Sequence, residues 1–498
     1  MRLSDLLKGL CPAEIEISYN GQGLSCSDPE IGSVHYKAQD VIQGGIFVAI
    51  KGFAADGHDF IDLALAKGAV AVVTEKSVKK EGIFVQVKNT RRALSMISAR
   101  FFHDPSMGLV LVGITGTNGK TTTASILESI LQKAGFEVGV IGTINYRYCG
   151  KISDNPMTTP ESADLHLILS KMLKAGVTHV VMEVSSHALD LCRVDHCWLD
   201  VGIFTNLTRD HLDYHKDMET YWSCKKKMFI KNMKNTPKGK TFAVINCDDF
   251  RGKELYDIYG GDKISIGLST GNMITPLILR EDLRSTEGRF SFAGAAFDFE
   301  SSLVGKHNLH NIACAVGAAV ALGIESDSIK LGIEALKYVP GRLEPVLNRY
   351  GRFIYVDYAH TPDALEHVLL ALKEMSRGKL ICVFGCGGNR DKGKRFLMGK
   401  VAGSFSDLPV ITSDNPRNEE PMAIINDIVK GISGSGKRHY VQPDRKSAIE
   451  LALGLSGAGD TILIAGKGHE PYQIIGGKGF LFDDREETKK AINRIWDQ

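Results

Sequence analysis

Short apolar runs, each closed by glycine or a polar cluster, recur along nearly the whole chain. Runs of this kind read as strands buried in parallel sheets, with helices in the amphipathic stretches between them. In the first part of the chain, residues 45–50, 69–73 and 83–87 are expected strands and 60–67 a short helix. A longer helix opens at Asn89 and ends before Asp104-Pro105, since proline restricts the residue ahead of it. The run 109–114 starts a second series, with strands at 138–144, 177–184 and 201–205 and a first helix at 122–134. Residues 241–300 alternate in short strands, with turns at Gly260-Gly261 and 285–288. An Ala-rich helix follows, to about Leu322. Near Val339 a third series begins, with strands at 353–356, 380–384, 408–412 and 461–465 alternating with helices. The pattern predicts an α/β chain of three domains, 1–108, 109–338 and 339–498, the last two on doubly wound sheets.

Composition supports that division. A chain of 498 residues suggests three domains of about 150 residues each. With 43% hydrophobic and 24% charged residues, it has the make-up of an ordinary soluble globular protein. The 60 basic and 58 acidic residues leave a net charge of +2, so no global field recruits nucleic acid and an anionic substrate must meet local clusters. Met1-Arg2-Leu3-Ser4-Asp5 lacks a secretory apolar region, and no apolar run approaches the roughly 18 residues of a membrane span. The ten cysteines are scattered; neither Cys192/Cys197 nor Cys382/Cys386 forms a zinc pattern. Buried reduced thiols and a cytoplasmic location are expected.

The candidate chemistry centres on Gly113-Ile114-Thr115-Gly116-Thr117-Asn118-Gly119-Lys120-Thr121-Thr122-Thr123. A strand, a glycine turn and Lys-Thr at a helix start hold a polyphosphate, because backbone N–H groups and the helix dipole meet the negative charge. Lys120 is expected at the β/γ-phosphates and Thr121 on Mg²⁺. The spacing is a short G-x-x-G-K-T, with Ile114 where the longer P-loop pattern has glycine. Further polar clusters close the next strands: Asn155 to Pro160, Glu183-Val184-Ser185-Ser186-His187, and Thr205 to Asp213, where ligands meet parallel sheets. Glu183 is a candidate for Mg²⁺. By charge alone, Lys225-Lys226-Lys227 reads as a solvated helix face. Asn308 and Asn311 share one helical face and read either as adenine contacts or as caps. The loop 51–58 reads equally as a binding loop or a surface turn. Gly385-Cys386-Gly387-Gly388-Asn389-Arg390 fails the dinucleotide pattern at Arg390.

Together, Gly116-Thr117-Asn118-Gly119-Lys120-Thr121, the Glu183 cluster and residues 205–211, 357–363 and 385–392 resemble the Mur ligase family across nearly the whole chain. The resemblance implies an N-terminal UDP-binding domain, a central ATPase domain and a Rossmann-like C-terminal domain carrying the incoming amino acid. It implies ATP-dependent amide synthesis through an acyl phosphate, in peptidoglycan precursor synthesis, with ATP and Mg²⁺. Lys120, Glu183, His211 and Lys225 take the catalytic positions. Aligned on Tyr221 and Phe229, Lys225 stands where the family carries a carbamylated lysine. A carbamate is an anion able to meet Mg²⁺ beside Thr121, Glu183 and His211. ATP is implied at Gly116 to Thr122 with Asn308, Asn311 and Arg342, although His307 replaces a usual Phe. Thr158, Thr159, Ser185, Arg193 and Lys225 match positions that hold the UDP-muramoyl dipeptide.

Asp414-Asn415-Pro416-Arg417 resembles the signature of members that add meso-2,6-diaminopimelate rather than L-lysine, with Arg390, Gly466 and Glu470 completing the pocket. A guanidinium fork suits the carboxylate that lysine lacks. Two departures concern the UDP side: Lys37-Ala38-Gln39 replaces an Asp-Ser-Arg, and Leu191 a Gln. The alternatives are the same chemistry on another acceptor, as in a lysine-adding or folylpolyglutamate-type ligase, and a nucleotide-binding regulator that only hydrolyses ATP. The family implies a monomer with small-molecule substrates, no nucleic acid and no membrane insertion.

Overall fold

The strand Val110–Thr115 alternates its side chains into two separate cores. Val112 and Ile114 pack with Ile126, Leu127 and Ile130 of the helix Lys120–Lys133 and with Ile312 and Val316 of the helix Lys306–Ala321. Leu111 faces the other way, onto Leu165, Leu169 and Met172 of the helix Ser162–Lys174. A strand covered on both faces must be apolar throughout, which is why it read as an unbroken run. The computed structural model describes residues 1–8, 15–19, 28–53, 55–292 and 295–496. Ala54, inside the glycine-punctuated loop, lies outside the described residues.

Val110–Thr115 belongs to an eight-stranded sheet. Asp262–Ile266, Phe242–Asn246 and Val201–Phe204 lie on one side of it; His179–Glu183 and Val138–Ile141 lie on the other. These six strands are parallel. The antiparallel strands Tyr146–Tyr148 and Lys151–Ser153 extend the second edge. The chain therefore winds out to one side of the first strand and later to the other. Carboxyl ends of strands beside such a reversal form a crevice.

Within the region 241–300, expected to alternate in short strands, Phe242–Asn246 and Asp262–Ile266 are members of this parallel sheet. Thr275–Glu281, Thr286–Phe292 and Ala295–Ser301 form a separate antiparallel meander. The strand expected to reach residue 144 stops at Ile141, where the chain turns into the edge hairpin.

The N-terminal sheet runs Ile15–Tyr19, Ile83–Val87, Ala69–Thr74, Gly45–Val48, Ser33–His35, with the first pair antiparallel and the rest parallel. The C-terminal sheet runs Glu344–Pro345, Phe353–Asp357, Thr461–Ala465, Leu380–Phe384, Leu408–Ile411, Tyr440–Val441, antiparallel only at its first pair. It too has a core on each face: Cys382, Phe384 and Leu463 on one, Ile381, Val383 and Ile462 on the other. Beside it stands a two-stranded hairpin, Tyr472–Ile475 and Lys478–Leu481.

The cysteines depart in part from expectation. Cys197, Cys224, Cys314, Cys382 and Cys386 are buried, but Cys192 and Cys247 are half-buried and Cys149 is exposed in the edge hairpin turn. No helix among the described residues is long and apolar enough to cross a membrane.

Candidate active site

Two glycines shape the loop after Val110–Thr115. Gly116 and Gly119 take φ of +150° and +86°, and a Cβ on Gly119 would lie 2.1 Å from Asn311 Oδ1. A side chain there would meet both strain and a clash, so only glycine lets the loop close. The helix begins at Lys120, two residues earlier than the apolar pattern suggested. Lys120 Nζ donates to Gly116 O at 2.8 Å and Thr117 O at 2.7 Å. Burial is the main influence lowering its pKa.

Glu183 ends the neighbouring strand and is buried, at 1% exposure. Its Oε2 accepts from Thr121 Oγ1 at 3.0 Å and Thr143 Oγ1 at 2.9 Å, while Oε1 accepts from the Thr143 N–H at 2.8 Å. No lysine or arginine is ion-paired with this carboxylate among the described residues. Arg342 crosses from the C-terminal domain to donate to Thr121 Oγ1 at 3.3 Å, and its Nε is buried without an acceptor. Asn118 Nδ2 reaches Asp363 Oδ2 at 3.0 Å, a second tie between the same two domains.

Lys225 corrects the charge-only reading. It is not on a solvated face: it is 1% exposed, with Nζ donating to Gly116 O at 2.7 Å and lying 4.5 Å from the Tyr221 ring. Two lysine nitrogens thus share one buried carbonyl. Burial, then Lys120, drives the Lys225 pKa well below its ordinary value, which favours the neutral amine. Its helix is Met218–Lys227, followed by a π-type turn over Met228–Met233.

His211 follows the strand Val201–Phe204 with φ of +53°, a conformation that non-glycine residues enter at a cost. Its ring opens onto the cleft. Packing around the ring, with Lys120 and Lys225 adding like charge, lowers its pKa to about 4 despite Asp210. It is therefore neutral at pH 7 and offers a lone pair.

These groups line one cavity of about 710 Å³. Thr117 to Thr122, Thr158, Glu183, Ser185, His211, Lys225, Asn308, Asn311 and Arg342 all face it, which brings together positions that the resemblance divides among ATP, metal and dipeptide substrate. Asn311 Nδ2 donates to Asn308 Oδ1 and Asn308 Nδ2 to Val304 O, at 3.2 and 2.9 Å, so one amide orients the next. Thr143, Asp210, Tyr358, His360 and Asp363 line it as well. None was singled out from the sequence, although Thr143 follows an apolar strand and the others stand in quoted clusters. Among the described residues no group of three or more His, Cys, Asp and Glu is arranged to hold a metal.

Thr159 and Arg193 lie just behind the cavity wall. Thr159 Oγ1 donates to Glu183 O at 2.9 Å and accepts from the Ser185 N–H at 3.0 Å. Arg193 donates to Thr159 O at 3.2 Å and to Glu161 Oε2 at 3.3 Å, and Arg91 of the N-terminal domain reaches the same Glu161 oxygen at 2.9 Å. At the departures, Ala38 is buried at the start of a 3₁₀ turn and Leu191 caps the helix Ser186–Asp190.

The residues proposed for the amino acid form a separate cluster at the carboxyl ends of the C-terminal strands. Asn415 Nδ2 donates to Glu470 Oε2 at 3.0 Å. A Cβ on Gly466, whose φ is +116°, would stand 2.5 Å from Asp414 Oδ2. Arg417 Nη1 donates to Gly388 O at 2.8 Å, and its φ of +54° is again left-handed. Pro416 packs its carbonyl against Gly388, and a Cβ on Gly387 would meet both Arg417 and the exposed Arg390. None of the seven faces the 710 Å³ cavity in this structure.

Family models match three stretches in succession: the Mur ligase family catalytic domain over 30–102, the Mur ligase middle domain over 114–319, and the Mur ligase glutamate ligase domain over 341–468. The chain belongs to the Mur ligase family. Among similar Mur ligases, one from Geobacter metallireducens is 44% identical, with 99% of each chain covered. One from Bacillus cereus is 42% identical over 93% of this chain and 94% of its own. Both are named UDP-N-acetylmuramoyl-L-alanyl-D-glutamate--2,6-diaminopimelate ligase. A solved structure of that name matches with a TM-score of 0.69 at 31% identity, covering 95% of this chain and 98% of its own.

Proposed function

We propose that the chain is an ATP-dependent ligase that joins meso-2,6-diaminopimelate to the D-glutamate γ-carboxylate of UDP-N-acetylmuramoyl-L-alanyl-D-glutamate. Full-length identity of 40–44% to relatives sharing that activity in their names carries the reading. The γ-carboxylate attacks the γ-phosphoryl group of ATP, and ADP leaves. The free amine of diaminopimelate then attacks the acyl phosphate, orthophosphate departs, and the amine loses a proton as the amide forms.

Phosphoryl transfer needs positive charge and position more than covalent help. Lys120 sits at the loop and Arg342 beside Thr121, with a buried Nε free for an anionic oxygen. The donor set suits Mg²⁺: a Thr121 hydroxyl, an unpaired Glu183 carboxylate and a neutral His211 imidazole. Mg²⁺ held there would supply charge against the phosphate oxygens. Lys225 is suited to carbamylation because its neutral amine is the form that adds CO₂, giving the carbamate anion and a proton. Asn308 and Asn311 face the adenine, while Thr158, Thr159, Ser185 and Arg193 hold the dipeptide substrate. Arg417 and Arg390 meet the distal carboxylate of diaminopimelate, and Glu470 its ammonium. The family resemblance supports a monomer working in the cytoplasm.

Phosphate release from ATP with Mg²⁺ and the UDP-muramoyl dipeptide tests the reading. Turnover is expected with meso-diaminopimelate and not with L-lysine. Equal turnover with lysine would overturn the specificity, and amine-independent release would leave only an ATPase.

A further inference from the structure

The hairpin Tyr472–Leu481 is bonded directly to the Asp414–Arg417 segment. Gln473 Nε2 donates to Asp414 O at 2.7 Å, and the Ile474 N–H donates to Asn415 Oδ1 at 2.9 Å. The Arg417 N–H donates to Ile474 O at 3.0 Å, and the Gly476 N–H returns a bond to Arg417 O at 2.6 Å. This strand-like pairing fixes Arg417 in its left-handed conformation from outside its own loop. Gln473 is 8% exposed and anchors the first of these contacts.

Lys467 ties the same hairpin to the other wall. Its side chain is fully buried, and Nζ donates to Tyr472 O and to Asn415 Oδ1, the latter at 3.5 Å. The same nitrogen lies 3.6 Å from Glu470 Oε2, the oxygen that accepts from Asn415. One cation therefore touches the segment carrying Asn415, the loop carrying Glu470 and the hairpin.

We propose that Lys467 and Gln473 are positioning residues for acceptor binding, clamping the hairpin so that Arg417 and Glu470 stand at a fixed separation and orientation. Resting on the reading of this cluster as the diaminopimelate pocket, the proposal assigns roles to two residues that need not touch the substrate. A two-sided pocket reads the distance between a carboxylate and an ammonium only if its own walls are held.

Lys467 has a second effect. Glu470 faces Asp414 from the Asp414–Arg417 segment, Tyr358 from the first strand end, Tyr472 from the hairpin, and Lys467 from its own loop; Arg445 is the further cation behind it. Burial and Asp414 raise its pKa, and Lys467 and Asn415 oppose them. Losing Lys467 removes an influence that favours the Glu470 carboxylate, the form that holds an ammonium.

The test measures KM for meso-diaminopimelate and for ATP, with kcat, in the wild type, Lys467→Met and Gln473→Ala. In both variants KM for diaminopimelate is expected to rise about tenfold or more, with KM for ATP unchanged. In both variants kcat at saturating diaminopimelate is expected to stay within a few-fold of wild type, as a positioning role requires. Should Lys467→Met fail to fold, the KM of Gln473→Ala decides. Wild-type turnover without any need for diaminopimelate would remove the underlying reading. Diaminopimelate-dependent wild type, with a folded variant whose KM is unchanged, would overturn the clamp alone.

Discussion

Replacing Lys225 with methionine separates stability from catalysis. In the native state the lysine nitrogen keeps one hydrogen bond, to Gly116 O, and a contact with the Tyr221 ring. For a neutral amine that bond contributes about 0.5–1.5 kcal/mol. Opposing it is the cost of holding, near neutral pH, a neutral amine that the unfolded chain would leave protonated. Methionine fills similar volume without the charge, so stability is expected to hold or rise by about 1–3 kcal/mol.

The sign of the pH effect follows. Lys225 is lowered in the folded state, so the unfolded chain binds more protons below its ordinary pKa of 10.5, and stability rises with pH through that window. Lys225→Met loses that slope. Ligation should nonetheless fall by about a hundredfold or more, as when a group that stabilises transferring charge is removed. Phosphate release at saturating substrates reads the first effect, and thermal melting the second, at about 2–4 °C per kcal/mol. In Lys225→Ala, small carboxylic acids should restore part of the activity by standing in for the carbamate. Unchanged turnover in Lys225→Met would refute the catalytic role. A sharp drop in melting temperature would refute the claim that the amine is held at a cost.

Four further outcomes are expected. Arg417→Ala should raise KM for diaminopimelate by the equivalent of roughly 2–5 kcal/mol with ATP affinity intact; an unaltered KM would place the distal carboxylate elsewhere. Gly119→Ala, strained at φ +86° and 2.1 Å from Asn311, should weaken ATP binding about tenfold or more by calorimetry, at a strain of about 1–2 kcal/mol. Glu183→Gln should lower ATP turnover about 10²–10³-fold while circular dichroism stays native. His166 is fully buried and its pKa is lowered to about 3 by burial. Its contribution is complete above the unfolded value of 6.5 and is lost as pH falls toward 3. Denaturant titration should find the wild type losing about 2 kcal/mol more between pH 7 and pH 5 than His166→Leu does; equal losses would refute it.

The doubly wound sheets were legible because strands covered on both faces are uniformly apolar, as Val112 against Leu111 illustrates. The phosphate loop was legible because glycine spacing before Lys-Thr encodes backbone conformation directly. Lys225 was opaque to charge pattern, since three adjacent lysines point in three directions on a helix. Its burial was foreshadowed only by Tyr221 and Phe229, four residues to either side, both inside. The hairpin that holds Arg417 left little trace: Tyr472, Ile475, Phe480 and Leu481 are substantially exposed, and no buried alternation marks its strands. Contacts between domains, such as Asn118 with Asp363 and Arg342 with Thr121, join residues 245 and 221 positions apart. No local pattern encodes them.

The most direct measurement follows an oxygen of the D-glutamate γ-carboxylate. UDP-muramoyl dipeptide labelled with ¹⁸O in the D-glutamate γ-carboxylate is turned over with ATP, Mg²⁺ and meso-diaminopimelate, and the released phosphate is analysed by mass spectrometry. Passage through an acyl phosphate predicts one labelled oxygen in each phosphate, matched by one amide formed. Unlabelled phosphate would mean that water, not the carboxylate, takes the phosphoryl group, and would contradict the ligase account.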